Sequence, residues 1–270
     1  MTFYEKMAAI WAKNNSMVCV GLDPDLKKLP ECLQNKPNAL FEFNKALVDA
    51  THEFVCAYKP QAAYYAGQNA DDQLLASVEY IKANYPEIPV ILDVKRGDIG
   101  STASMYAKEA FERYNADAVT VNPYMGSDAL KPFLDYADRG VIILCRTSNP
   151  GGNDLQNLVC NGKPIYEHVA ELARDKYNYN KNVALVIGAT YPEELGKIRS
   201  ICTDMPFLVP GVGAQGGDVA KVMEHGCTKD GFGLIINSSR GIIYAGKGED
   251  FAAAAGKAAK DLRDLINSCR

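Results

Sequence analysis

The stretch Val90-Ile-Leu-Asp-Val-Lys-Arg-Gly-Asp-Ile-Gly-Ser-Thr102 passes from an apolar run to four charges within six residues, Asp93, Lys95, Arg96 and Asp98. Val90, Ile91 and Leu92 predict a buried strand, Gly97 its end, and Gly100-Ser-Thr the start of a helix. Strand side chains alternate between faces, so Asp93 and Lys95 are expected on one side and Val94 and Arg96 on the other. Opposite charges gathered where a buried strand ends are costly unless they are paired or used. By itself the segment fits a structural ion pair as well as a functional one.

The same strand-then-helix unit recurs on both sides of this stretch. Short apolar runs rich in Val, Ile and Leu predict strands at 17–23, 55–59, 90–93, 118–123, 141–146, 183–188, 207–210 and 233–237. Helical patterns follow them at about 38–54, 68–84, 101–114, 127–136, 164–177, 192–201, 217–224 and 250–268. Continuous apolar strands alternating with helices mean a parallel sheet covered by helices. Eight such units in 270 residues, with no linker or shift of composition, predict a single α/β domain, a (β/α)8 TIM barrel spanning 1–270. The alternative, an open doubly wound sheet, calls for a Gly-x-Gly-x-x-Gly turn after its first strand. Here that strand runs into Gly21-Leu-Asp-Pro-Asp25. Ahead of the repeats, Phe3, Met7, Ile10 and Trp11 have helical spacing and predict an N-terminal helix over about 2–14.

Composition narrows the classes of function. Hydrophobic residues make up 47% and charged residues 23%, as in ordinary globular domains. A net charge of -4, with no Lys/Arg block, offers no face for nucleic acid. No apolar run is long enough to span a membrane, and charge in Met1-Thr-Phe-Tyr-Glu-Lys6 interrupts any signal-peptide core. The eight cysteines are scattered without C-x-x-C pairs, and Cys19, Cys56 and Cys145 lie inside apolar runs. They read as reduced thiols, and the protein as soluble, unexported and cytoplasmic.

Polar residues collect where the strands end: Asp23, Lys59, Asp93, Lys95, Asn122, Arg146, Ser148, Gln215, Ser239 and Arg240. In a barrel those ends form one rim, where active sites are built, which favours the functional reading of the Asp/Lys group. In the last two units, Val209-Pro-Gly-Val-Gly-Ala-Gln-Gly-Gly217 and Asn237-Ser-Ser-Arg-Gly241 suit a phosphate. Glycines let backbone N–H groups approach an anion, Arg240 can grip it bidentately, and barrels commonly hold phosphate after strands seven and eight. His52, His168 and His225 fall in helical segments, and the rim carries neither a metal-ligand cluster nor an organic-cofactor motif. What remains is proton transfer by lysine, Schiff-base formation or electrostatic stabilisation.

Asp93-x-Lys95-x-x-Asp98, with Gly21-Leu-Asp23-Pro, Lys59, Thr147-Ser-Asn-Pro-Gly151, Val209-Pro-Gly-Val-Gly-Ala-Gln215-Gly-Gly-Asp218 and Ser239-Arg240-Gly241, resembles the orotidine 5'-phosphate decarboxylase family. The longer inserts and Asn122-Pro-Tyr-Met-Gly-Ser-Asp128 are most similar to its second, bacterial type. The resemblance covers about Val18 to Ile243 and implies decarboxylation of orotidine 5'-phosphate to UMP without cofactor or metal. It implies Lys95 as proton donor to C6, Asp93 against the substrate carboxylate, and Lys59 bonded to Asp93 and the ribose. Asp98 and Thr102 would reach into the site of a partner in a homodimer, and Asp23 would bind ribose hydroxyls. Ser148 would face the pyrimidine, Gln215 and Arg240 would hold phosphate, and Pro210 and Ser239 complete the substrate-binding set. Neighbouring carboxylates, Asp93 and Asp98, are expected to favour the charged form of Lys95. Asn122 and Arg146 receive no role.

Two other functions share parts of this pattern. A sugar-phosphate decarboxylase or aldolase-type synthase of the same barrel group has the Asp-x-Lys-x-x-Asp core but adds acidic metal ligands. A non-catalytic nucleotide-binding barrel would be expected to lack a charged core residue, yet Asp23, Lys59, Asp93, Lys95 and Asp98 are all present.

Overall fold

In the computed structural model of the chain, which describes residues 1–212 and 216–270, the eight expected units form one barrel. Its strands are β1 (Val18–Leu22), β2 (Ala57–Pro60), β3 (Ile91–Arg96), β4 (Ala118–Val121), β5 (Gly140–Arg146), β6 (Val183–Ile187), β7 (Phe207–Pro210) and β8 (Leu234–Ser238). Each pairs in parallel with its sequence neighbours, and β8 returns to β1. Parallel bridges between Tyr58 and Val90 and between Gln61 and Asp93 close the ring from β2 to β3. Every residue of β1, β2, β4 and β6 is buried, which is why these strands read as unbroken apolar runs rather than alternating ones.

The N-terminal helix α1 (Phe3–Asn14) starts on a capping box in which Thr2 and Glu5 satisfy each other's backbone N–H. It covers the floor of the barrel with Phe3, Met7, Ile10 and Trp11. The fit there is close: a Cβ on Gly140, the first residue of β5, would stand 2.7 Å from the Phe3 ring. The outer layer comprises α2 (Ala39–Thr51), α3 (Asp71–Asn84), α4 (Gly100–Lys108), α5 (Ser127–Leu134), α6 (Ile165–Leu172), α7 (Pro192–Ile201), α8 (Val219–Gly226) and α9 (Phe251–Ser268). The segment between β5 and α6 is built rather than plain loop. It holds one turn of helix at Asn153–Gln156 and a two-stranded ribbon, Val159–Cys160 with Lys163–Pro164.

Cys19, Cys56 and Cys145 pack in the core as expected, and all eight thiols are free. Among the described residues no helix is long and apolar enough to cross a membrane.

Candidate active site

Strand β3 ends in a buried ion network. Lys59 Nζ, from the end of β2, donates to Asp93 Oδ2 at 2.9 Å, and Lys95 Nζ donates to Asp93 Oδ1 at 2.7 Å. Thr120 in β4 donates its hydroxyl to the same Asp93 Oδ1 at 2.7 Å. Lys59 and Asp93 are almost fully enclosed, whereas the Lys95 side chain is 44% exposed, its ammonium tied to the network yet open to the mouth. Burial pushes the Asp93 carboxyl up, but Lys59 and Lys95, by charge and by hydrogen bond, outweigh it and hold it well below the usual carboxylate range. Burial likewise disfavours the Lys59 ammonium, yet Asp93 and Asp23 together raise it well above the usual lysine range.

Asp93 and Lys95 converge as expected, but alternation is not what brings them together. Lys95 has φ +48°, a left-handed conformation rare for a long side chain, and the register of β3 against β4 slips between Leu92 and Arg96. Thr120 holds this bend: its Oγ1 accepts the N–H of Val94 and of Lys95, each at 3.0 Å, while donating to Asp93. One hydroxyl thus uses its donor and both acceptor positions. Thr120 was missed in the sequence because a β-branched residue inside Ala118-Val-Thr-Val121 reads as an ordinary strand former. Arg96 turns away, as expected, to pair with Glu109 of the turn that extends α4.

Around the network stand the other rim residues. Asp23, just past β1, has a buried Oδ1 without a hydrogen-bond partner, as does Asn237 near the end of β8. Buried polar atoms are normally satisfied, so two unmet acceptors at the mouth suit ligand donors such as hydroxyls. The ends of β1 and β8 touch here: a Cβ on Gly21 would lie 1.8 Å from Ser239 Oγ, so only glycine fits. Ser239 carbonyl oxygen accepts the N–H of Ile242 and Ile243, starting the single turn Arg240–Ile243. Arg240 is exposed, and among the described residues nothing pairs with its guanidinium. Pro210 ends β7, its carbonyl accepting Ala189 N–H at 2.9 Å. Gln215 lies outside the described residues. The ends of its loop are pinned by Gly217 N–H on the Gly211 carbonyl at 3.1 Å, with Gly211 at φ +98° and Gly216 at φ +85°.

One expectation needs correction. Asp98 makes no ion pair with Lys95; its carboxylate accepts the N–H of Ile99, and among the described residues Asp93 alone is paired with the Lys95 ammonium. Asp98 and Thr102, expected to serve a partner's site, stand outside the network of their own barrel, and Thr102 is exposed on α4, beside the exposed apolar residues Ile99 and Met105. Two residues left without a role do have structural partners. Asn122 accepts Tyr124 N–H and caps the turn after β4, and Arg146, wholly buried, holds the segment after β5. Ser148 lies half-buried at the end of β5, against Gly188 of β6's end. The histidines lie in helical turns, as expected, and among the described residues no three His, Cys, Asp or Glu side chains are grouped to hold a metal ion.

Fold and site define a (β/α)8 barrel of the enzyme type, with a lysine–aspartate–lysine network at the C-terminal rim. The chain belongs to the orotidine 5'-phosphate decarboxylase / HUMPS family, whose model matches residues 16–255. Orotidine 5'-phosphate decarboxylase of Janthinobacterium sp. (strain Marseille) is 56% identical to it, over 99% of this chain and 98% of that protein. The enzyme of that name from Cellvibrio japonicus (strain Ueda107) is 57% identical over the full length of both. Among solved structures, the OMP decarboxylase of Leishmania donovani superposes with a TM-score of 0.88 at 40% identity, covering 100% of this chain and 99% of that one. The same organism's UMP synthase matches all of this chain with 56% of its own, at a TM-score of 0.89 and 41% identity.

Proposed function

We infer that this protein is a carboxy-lyase that converts orotidine 5'-phosphate to UMP, the last step of de novo pyrimidine nucleotide synthesis. Full-length kinship with decarboxylases of that name supports the reaction. The observation that carries the mechanism is Asp93, held ionised between Lys59 and Lys95 with only Lys95 open to the mouth. Breaking the bond from C6 to the carboxylate releases CO2 and leaves an electron pair in the ring plane, where the π-system cannot delocalise it. The Lys95 ammonium would stabilise that pair and then donate its proton to C6, to be reprotonated from solvent. A unit charge pair at ~4 Å with an effective dielectric near 20 contributes about 4 kcal/mol, part of the barrier reduction. Asp93 would press against the departing carboxylate, a repulsion relieved as CO2 leaves.

Lys59 and Asp23 would hold ribose hydroxyls, consistent with the unmet Asp23 Oδ1. Ser148 would meet the pyrimidine. Gln215 and Arg240 would hold the phosphate, whose binding energy can be spent on turnover rather than affinity alone, and Pro210 and Ser239 would complete the substrate-binding set. Asp98 and Thr102 would complete the site of a second copy. That reading fits the exposed apolar residues Ile99, Met105, Tyr124 and Met125 on the segments after β3 and β4, which a homodimer would cover. The free thiols suit a cytoplasmic enzyme.

The test is to add orotidine 5'-phosphate to protein treated with EDTA and follow the absorbance change of the pyrimidine together with UMP formation. Turnover undiminished by the chelator is expected. A Mg2+ requirement with sugar phosphates, and no reaction of orotidine 5'-phosphate, would favour the metal-assisted barrel instead. In the same assay, mixing Lys95→Ala with Asp98→Ala subunits should restore about one intact site per mixed dimer. No recovery, although mixed dimers form, would refute the shared site.

A further inference from the structure

Arg146 closes β5 as a wholly buried cation, directly before Thr147 and Ser148. Its guanidinium gathers partners from three places. Nε donates to Glu194 of α7, Nη2 to Asn153 Oδ1 at 2.7 Å, and Nη1 to Gln156 Oε1 at 3.1 Å and to the Thr147 carbonyl at 3.3 Å. The Tyr191 ring packs over it, 3.8 Å from guanidinium carbon to centroid. Such a planar fork fixes several acceptors at once, which a lysine would not. Asn153 and Gln156 both lie on the short helix of the inserted segment, so the arginine fastens that segment to its own strand end.

Gln156 then passes the fastening on. Its Oε1 accepts Thr147 N–H at 2.9 Å, and its Nε2 donates to Thr147 Oγ1 at 2.8 Å. The amide therefore grips both the backbone and the side chain of the residue before Ser148. On the other side Gly188 sets the limit: a Cβ there would stand 2.7 Å from the Ser148 backbone, and Gly188 N–H is bonded to the Arg146 carbonyl at 2.7 Å. Gly152 is as tightly constrained, since a Cβ would meet Thr147 Oγ1 and Gln156 Oε1 at 2.9 Å.

We propose that Arg146 and Gln156 are positioning residues: they clasp the segment after β5 so that Thr147–Ser148 is held at a fixed height above the rim. The proposal rests on Ser148 meeting the pyrimidine. In this arrangement the inserted segment braces the base-binding edge. A reacting group displaced by about 1 Å costs as much as a hundredfold in rate, so loosening the clasp affects catalysis without touching substrate.

The test is a double-mutant cycle on Gln156→Ala and Ser148→Ala in the full-length enzyme, reading kcat, KM and Tm. Gln156 is only half-buried, so the variant is expected to fold; its Tm and circular dichroism check this. Gln156→Ala is expected to lower kcat/KM for orotidine 5'-phosphate about tenfold to a hundredfold in the wild-type background and less than twofold when Ser148 is already Ala. Arg146→Lys should behave as Gln156→Ala does, since the charge is kept and the fork lost. Equal losses in both backgrounds, or no loss in the wild type, overturn the clasp. No loss from Ser148→Ala alone removes Ser148 from the site, and the proposal with it, while leaving turnover itself to establish the decarboxylase.

Discussion

Asp93 and Asp117 are both buried carboxylates that hold two lysines each, one at the C-terminal rim of the barrel and one at its N-terminal floor. At the floor, Lys6 of α1 and Lys82 of α3 share Asp117 Oδ1 at 2.7 and 2.8 Å. The other oxygen accepts Val90 N–H at 2.8 Å, at the foot of β3. The cluster therefore ties two helices to the strands and uses up its own carboxylate. At the rim the carboxylate is also fully engaged, but around it lie the exposed flank of Lys95, the unmet Asp23 Oδ1 and a left-handed backbone. Burial, together with the Lys6 and Arg139 charges, leaves the Lys82 ammonium below its usual range despite Asp117, whereas Lys59 ends well above its own. A cavity of about 520 Å³ adjoins the floor cluster, so neither a hollow nor a triad of charges distinguishes a working site. What distinguishes it is an ammonium left open to solvent beside a buried carboxylate: the Lys95 side chain is 44% exposed, against 16% for Lys6 and 20% for Lys82.

The largest expected contrast is in turnover. Lys95→Ala removes the ammonium facing the substrate and should lower kcat by about 10³, from ~4 kcal/mol of lost charge stabilisation. Asp93 keeps Lys59 and Thr120, so Tm should move by only a few degrees. Single-turnover kinetics and thermal melts on one preparation check both. Near-normal turnover would place Lys95 with the floor lysines as a structural residue.

The converse holds at the floor. Asp117→Asn leaves two ammonium groups without their carboxylate and should cost about 3 kcal/mol of stability, a fall in Tm of roughly 6–10 °C. Specific activity of the folded fraction should stay within about twofold of wild type. A loss of activity exceeding the loss of folded protein would mean that the floor is coupled to the chemistry.

The barrel was legible because parallel strands buried on both faces leave an uninterrupted apolar signature, and eight of them set the closure. The rim was legible as a set of strand-end positions, including Asp23, Lys59, Asp93 and Lys95. Its internal geometry was not. Side-chain alternation expects Asp93 and Lys95 to converge but says nothing of a bulge, and nothing in the type of residue 95 announces φ +48°. That bend depends on Thr120, twenty-five residues further on. Asp98, three residues from Lys95, looks like a neighbour in sequence, yet its carboxylate is taken by the N–H of Ile99 at the start of α4. Arg146 was conspicuous without being interpretable. Its partners Asn153, Gln156 and Glu194 come from an insertion and a helix whose contact only the folded barrel creates. The cluster at Asp117 had no signal at all, because Lys6 and Lys82 are ordinary helix residues until the floor brings them together.

The smallest effect tests the strain itself. Lys95→Gly and Lys95→Ala lose the same ammonium and should be equally inactive, but only glycine adopts φ +48° without a Cβ penalty. The glycine variant should therefore be the more stable of the two by about 1 kcal/mol, even though its unfolded chain has more freedom to lose. At the floor the order should reverse. Lys82 lies inside α3, where glycine is less favourable than alanine by about 1 kcal/mol, so Lys82→Gly should unfold before Lys82→Ala. Chemical denaturation of the four variants measures both differences on one scale. If alanine proves at least as stable as glycine at position 95, the left-handed turn is not strained there. The backbone would then have to be set by Thr120 at no cost, and removing Thr120 Oγ1 would release Lys95 from its place beside Asp93.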